Sequence, residues 1–104
     1  VINHINLNLA EQMSLKSLAA MCFISPSYLS SLFKQDTGTT IVDYINSQRV
    51  DRAAVLLATT DRSIAAVAAA VGILDVNYFT KIFKKQLGTT PTQYRREKKA
   101  MLGH

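Results

Sequence analysis

Asn77, Thr80, Lys81 and Lys84 stand at positions i, i+3, i+4 and i+7, the spacing that puts four side chains on one stripe of an α-helix. Fifty positions earlier, Ser27, Ser30, Ser31 and Lys34 repeat that spacing. The chemistry open to such stripes is hydrogen bonding rather than bond breaking. An Asn can pair bidentately with adenine, a Lys can reach guanine O6 or N7, and a serine hydroxyl reads only at close range. Between the stripe positions lie Leu29, Leu32 and Phe33 in one copy and Phe79, Ile82 and Phe83 in the other. Each segment reads as an amphipathic helix with a polar ridge outward.

Any surface helix has a polar ridge, so one copy would mean little. The duplication changes that. Residues 28–44 and 78–94 are identical at seven of 17 aligned positions, where average usage gives about one. Each copy follows a short apolar helix pattern and a sharp break. A helix, a tight turn and a second helix, made twice, suits a long periodic partner touched at two equivalent places. Duplex DNA is such a partner.

The elements that must hold these ridges are all helical, and no alternating strand pattern is present. Ile2 to Gln12 has apolar residues at 2, 5, 9 and 13, one helical face. Ser14 caps a helix from Leu15 to about Cys22. Phe23 and Ile24 form a turn. Ser25-Pro26 opens a third helix, which runs to about Asp36 and which Gly38 ends. Thr40 with Asp43 forms a capping box that opens the longest helix, Ile41 to about Ala58, with Val42, Ile45, Val50, Ala53, Ala54, Leu56 and Leu57 making its apolar contacts. A fifth helix spans Ile64 to Val71 and stops at Gly72. Asp75 caps a sixth to about Leu87. Thr90-Pro91 starts a seventh that fades near Lys99.

Composition narrows the partner. The 104 residues carry a net charge of +5, and it is uneven. Residues 1–52 hold four bases and four acids, while residues 53–104 hold eight bases and three acids. A basic half favours a polyanion through counterion release. Cys22 is alone among apolar neighbours and reads as a buried thiol, and His4 and His104 stand at opposite ends, so no metal ligand set forms. No Ser-His-Asp set or carboxylate pair supports catalysis, and no cofactor is expected. The chain has no signal peptide and no apolar run of membrane length, so a cytoplasmic location without membrane contact is expected. It begins with Val rather than Met, as a piece of a longer protein would.

The run Ser25-Pro-Ser-Tyr-Leu-Ser-Ser-Leu-Phe-Lys34, with Gly38, Tyr44 and Arg49, resembles the first helix-turn-helix of the AraC/XylS family of bacterial transcription regulators. Residues 64–72, Asp75-Val-Asn-Tyr-Phe79, Phe83-Lys84 and Gly88-Thr-Thr-Pro91-Thr-Gln-Tyr94-Arg95 resemble the second. The resemblance implies an all-α fold of seven helices, in which residues 1–40 form one helix-turn-helix subdomain, 41–58 a linker helix, and 59–104 a second subdomain with a basic tail. It implies sequence-specific binding of double-stranded DNA, with two recognition helices in successive major grooves. Base readout falls on Ser27, Ser30, Ser31, Asn77, Thr80 and Lys81, and phosphate contacts on Lys34, Lys84, Lys85, Arg95 and Arg96. Further partners implied are RNA polymerase and an upstream sensor or receiver domain of the same chain. Activation of transcription is the usual output of such regulators.

Two departures stand out. Ile73 replaces the family's usual aromatic after Gly72, with Leu74 as the candidate to compensate. Helix five is nearly bare, with Ala65, Ala66, Ala69 and Ala70, which predicts a softer second half. That bare helix also supports the rival reading, a helical protein-protein interaction module. An RNA binder is disfavoured, because no basic groove with exposed aromatics is evident for stacking unpaired bases. Two head-to-tail units predict a direct-repeat site. A linker of about 18 residues spans only ~27 Å against about 34 Å between successive major-groove faces, so offset of the recognition helices or bending of the DNA must supply the rest.

Overall fold

The computed structural model describes residues 2–9 and 14–101. Every regular element among them is an α-helix: α1 (Ile2–Leu7), α2 (Leu15–Met21), α3 (Pro26–Thr37), α4 (Ile41–Thr59), α5 (Ile64–Ala70), α6 (Val76–Leu87) and α7 (Pro91–Met101). The first helix is shorter than its pattern suggested, and the last apolar position of that pattern, Met13, lies outside the described residues.

Local chemistry sets the boundaries. Ser14 and Ser17 form a reciprocal capping box at α2, and Ser25 with Pro26 opens α3. The Thr40 hydroxyl accepts from the Asp43 N–H at 3.1 Å, and Ser63 does the same for Ala66 at 3.0 Å. Gly38 and Gly88 close α3 and α6, both at φ +78°, the left-handed backbone that costs other residues about 1–2 kcal/mol.

Two hydrophobic clusters form, and α4 belongs to both. Ile41 and Ile45 join Ile5, Leu9, Leu18, Ala19, Leu29 and Phe33. One turn further on, Val50, Ala53, Ala54 and Leu57 join Val67, Ala68, Val71, Ile73, Phe79 and Phe83. The helix thus closes the first unit with its N-terminal half and opens the second with the rest. Edge-on rings mark the equivalence: Tyr44 meets Phe33 at 5.4 Å between centroids, and Tyr94 meets Phe83 at 5.5 Å. So do two arginines. Arg49 Nε donates to the Leu9 carbonyl and Arg95 Nε to the Leu57 carbonyl, both at 3.0 Å. Each ties the closing helix of a unit to the chain at the end of its opening helix. Burial pushes the Arg49 guanidinium below its ordinary value, against an opposing effect of Tyr78.

Four expectations need correction. Val42 is exposed, because it sits beside the buried stripe of Ile41 and Ile45 and not on it. Cys22 is also exposed, since the chain turns outward at the end of α2. Leu74 does not replace the missing ring. It is 77% exposed, and Ile73 alone fills the site at 5%. Nor does the packing of the second half look soft, since Phe79, Phe83, Val67, Ala68 and Val71 are all fully enclosed. Alanines on the outer face of α5 cost the core nothing.

Candidate nucleic-acid interface

The ridges emerge from what α3 and α6 bury. Leu29 and Phe33 are sunk in one cluster, Phe79 and Phe83 in the other. That leaves Ser27, Ser31 and Lys34 exposed on α3, with Ser30 half-buried, and Asn77, Lys81, Lys84 and Lys85 exposed on α6, with Thr80 half-buried. The two stripes therefore match position for position, down to their single half-buried member.

Their chemistry differs. The ridge of α3 is three hydroxyls and one ammonium. The ridge of α6 combines an amide, a hydroxyl and two ammonium groups, with Lys85 beside them. Positive charge at the α6 C-terminus also sits well with the helix dipole.

Of the expected phosphate contacts, Arg96 is exposed, but Arg95 requires revision. Its guanidinium is turned inward to the Leu57 carbonyl, and one of its terminal nitrogens is buried without a partner. Through its Nε atom this residue anchors α7 to the end of α4. Helix N-termini are partly taken by their own caps. The Asp75 carboxylate takes the N–H groups of Asn77 (2.9 Å) and Tyr78 (3.2 Å), and Ser25 takes that of Tyr28. At α6, a phosphate would meet that carboxylate.

The matched tyrosines divide as well. Tyr44 and Tyr94 pack against phenylalanines. Tyr78 accepts a hydrogen bond at its hydroxyl from Asn46 Nδ2 at 2.8 Å, across from α6 to α4. Tyr28 is 55% exposed. Sequence reasoning missed Asn46 and Gln86. Gln86 Nε2 donates to Asp51 Oδ1 at 2.8 Å and to the Ser47 carbonyl at 3.4 Å. No local pattern marks either residue, since all three bonds join positions more than thirty residues apart.

Among the described residues no helix is long and apolar enough to cross a membrane, and no group of three or more His, Cys, Asp or Glu side chains converges on a metal-sized site.

Comparison with known proteins agrees with this geometry. Residues 18–97 match the profile of a helix-turn-helix domain family. The chain is 37% identical over 99 residues to the bifunctional transcriptional activator/DNA repair enzyme AdaA of Bacillus subtilis, covering 95% of this chain and 47% of that protein. It is 40% identical over 79 residues to the arabinose operon regulatory protein of Escherichia coli, covering 76% of this chain and 27% of that protein. It thus spans less than half the length of these relatives. The DNA-binding domain of the global transcriptional factor AdpA, solved with a target DNA, superposes with a TM-score of 0.92 at 30% identity, covering 96% of this chain and 90% of that one.

Proposed function

The chain belongs to the AraC family of helix-turn-helix transcription regulators, and from that premise we propose that α3 and α6 enter successive major grooves of one duplex. Ser27, Ser30 and Ser31 then face the bases of one half-site, and Asn77, Thr80 and Lys81 those of the other. Lys34, Lys84, Lys85 and Arg96 neutralise phosphates. The observation that carries this reading is the pair of matched outward ridges, each braced from behind by its own core, with α4 common to both. Residues 1–40 and 59–104 act as two reading units and 41–58 as the strut between them.

Size supports the reading. The molecule measures 51 × 23 × 23 Å, long enough for two helices in grooves about 34 Å apart. The α4 helix has 19 residues, so it covers about 28 Å, and the offset of α3 and α6 from its ends supplies the remainder. Because the units follow head to tail, the site is a direct repeat. In its whole protein this domain serves as the output of an upstream sensor or receiver domain, contacts RNA polymerase, and works in the cytoplasm where the duplex is. The repair activity in the name of AdaA is attributed to that protein alone.

Selection of bound sites from random duplexes tests the proposal. A tandem repeat with half-sites about 10–10.5 base pairs apart is expected, with affinity falling steeply as salt rises. A palindrome, or binding that ignores salt as an apolar protein contact would, refutes it.

A further inference from the structure

The geometry points to Asn46 and Gln86 as positioning residues that fix the angle at which α6 meets its half-site, an inference that rests on the DNA-binding reading. Tyr78 and Gln86 lie eight residues apart on α6, about 12 Å along its axis. Asn46 holds the first of them and Ser47 with Asp51 holds the second. Two ties so far apart stop α6 from both rotating and sliding on α4, which a single contact could not do. The ties border a groove lined by Lys81 and Lys85, with Tyr78 next to Asn77 and Gln86 five positions beyond Lys81. All three bonds are solvent-exposed, and exposed polar contacts stabilise a fold little. What they supply is orientation, and reading a base edge demands placement within about 0.5 Å and 10–20°.

On α3, no hydrogen bond from Tyr28 or Asp36 to another described element matches these ties. Among the described residues the Tyr28 hydroxyl has no hydrogen-bond partner, and Asp36 occupies the position matching Gln86.

The test uses the Asn46→Ala/Gln86→Ala double variant, with Tyr78→Phe as a second route to the same loss and Tyr28→Phe as its matched control. Affinity is measured for the selected duplex and for duplexes scrambled in one half-site at a time, alongside thermal midpoint and salt slope. In the double variant, preference for the intact α6 half-site should fall about tenfold, the scale of one bidentate base contact. Tyr78→Phe should lower it in the same direction. Preference at the α3 half-site, thermal midpoint and salt slope should stay at parent values, and Tyr28→Phe should match the parent throughout. Unchanged preference at the α6 half-site overturns the inference. So does a parallel loss at both half-sites with a lowered midpoint, which marks a merely structural role. A parent protein that selects no duplex overturns the DNA reading itself, and this inference with it.

Discussion

In the first half the chain leaves α2 through Phe23 at φ +58°, passes Ile24 and caps α3 at Ser25. In the second it leaves α5 through Gly72 at φ +90°, passes Ile73 and Leu74, and caps α6 at Asp75. The hydrogen bonds show which positions correspond. Ile24 N–H bonds the Ala19 carbonyl at 3.1 Å, and Ile73 N–H bonds that of Ala68 at 2.8 Å, each five residues back. So Phe23 is the counterpart of Gly72, and Leu74 is one extra residue. A bulky residue in left-handed backbone is a true outlier, and this one is 95% exposed. The first turn is thus strained and bare where the second is relaxed and filled.

The same contrast runs through both units. The second has more fully enclosed side chains, all of the excess charge, the richer ridge and the polar ties to α4. The first has an open apolar groove lined by Ile2, Ile24, Leu29, Leu32 and Phe33. On the proposed reading, the second unit is expected to be the more discriminating reader of the two. Specificity should then rest more on the second unit than on the first.

Paired substitutions can break that contrast or sharpen it. The largest effect is expected from truncating the cores. Phe83→Ala should cost about 3–5 kcal/mol, because its ring is fully enclosed. Phe33→Ala should cost less, since solvent in the adjoining groove can fill the space. Denaturant unfolding measures both, and equal losses would show the two cores to be equally closed. Next comes readout. Asn77→Ala should cost roughly 1–3 kcal/mol of discrimination between site and non-site duplex, and Ser30→Ala less. A larger loss at Ser30 would reverse the assignment of specificity.

The turns come third. Gly72→Ala should destabilise by about 1–2 kcal/mol, the cost of a Cβ in left-handed backbone. Phe23→Gly should relieve a similar strain, less the roughly 0.5–1 kcal/mol that glycine loses in chain entropy, leaving a small net gain in thermal midpoint. A loss instead would show that the Phe23 ring packs in the folded state. The smallest effect concerns an exposed pair. Lys99 Nζ lies 2.8 Å from Asp61 Oδ1. That hydrogen bond, aided by the lysine's charge, holds the Asp61 carboxyl below its usual range. A depressed carboxyl adds stability above its unfolded value and loses it as pH falls through the folded one. The Asp61 titration followed by NMR should therefore shift upward in Lys99→Ala.

Much of this was legible in the chain. Caps, glycine stops and ridges are local, and a helix repeats its face every few residues. Ser14, Ser25, Thr40, Asp75, Gly38 and Gly88 act where their types predict, and Leu29, Phe33, Phe79 and Phe83 turn inward as their spacing requires. The misses share another cause. Cys22 and Val42 look buried by their neighbours in sequence, but exposure depends on what packs from elsewhere. Arg95 looks like a phosphate contact until the end of α4 is placed beside it.

The sequence by itself determined the helices, their ends, their polar stripes and the doubling of the unit, because each follows from backbone chemistry within a few residues. Only the tertiary structure decided that Arg95 faces inward and that Asn46 and Gln86 hold α6. Those contacts join residues thirty to forty positions apart, and no local periodicity encodes which distant side chain will meet which.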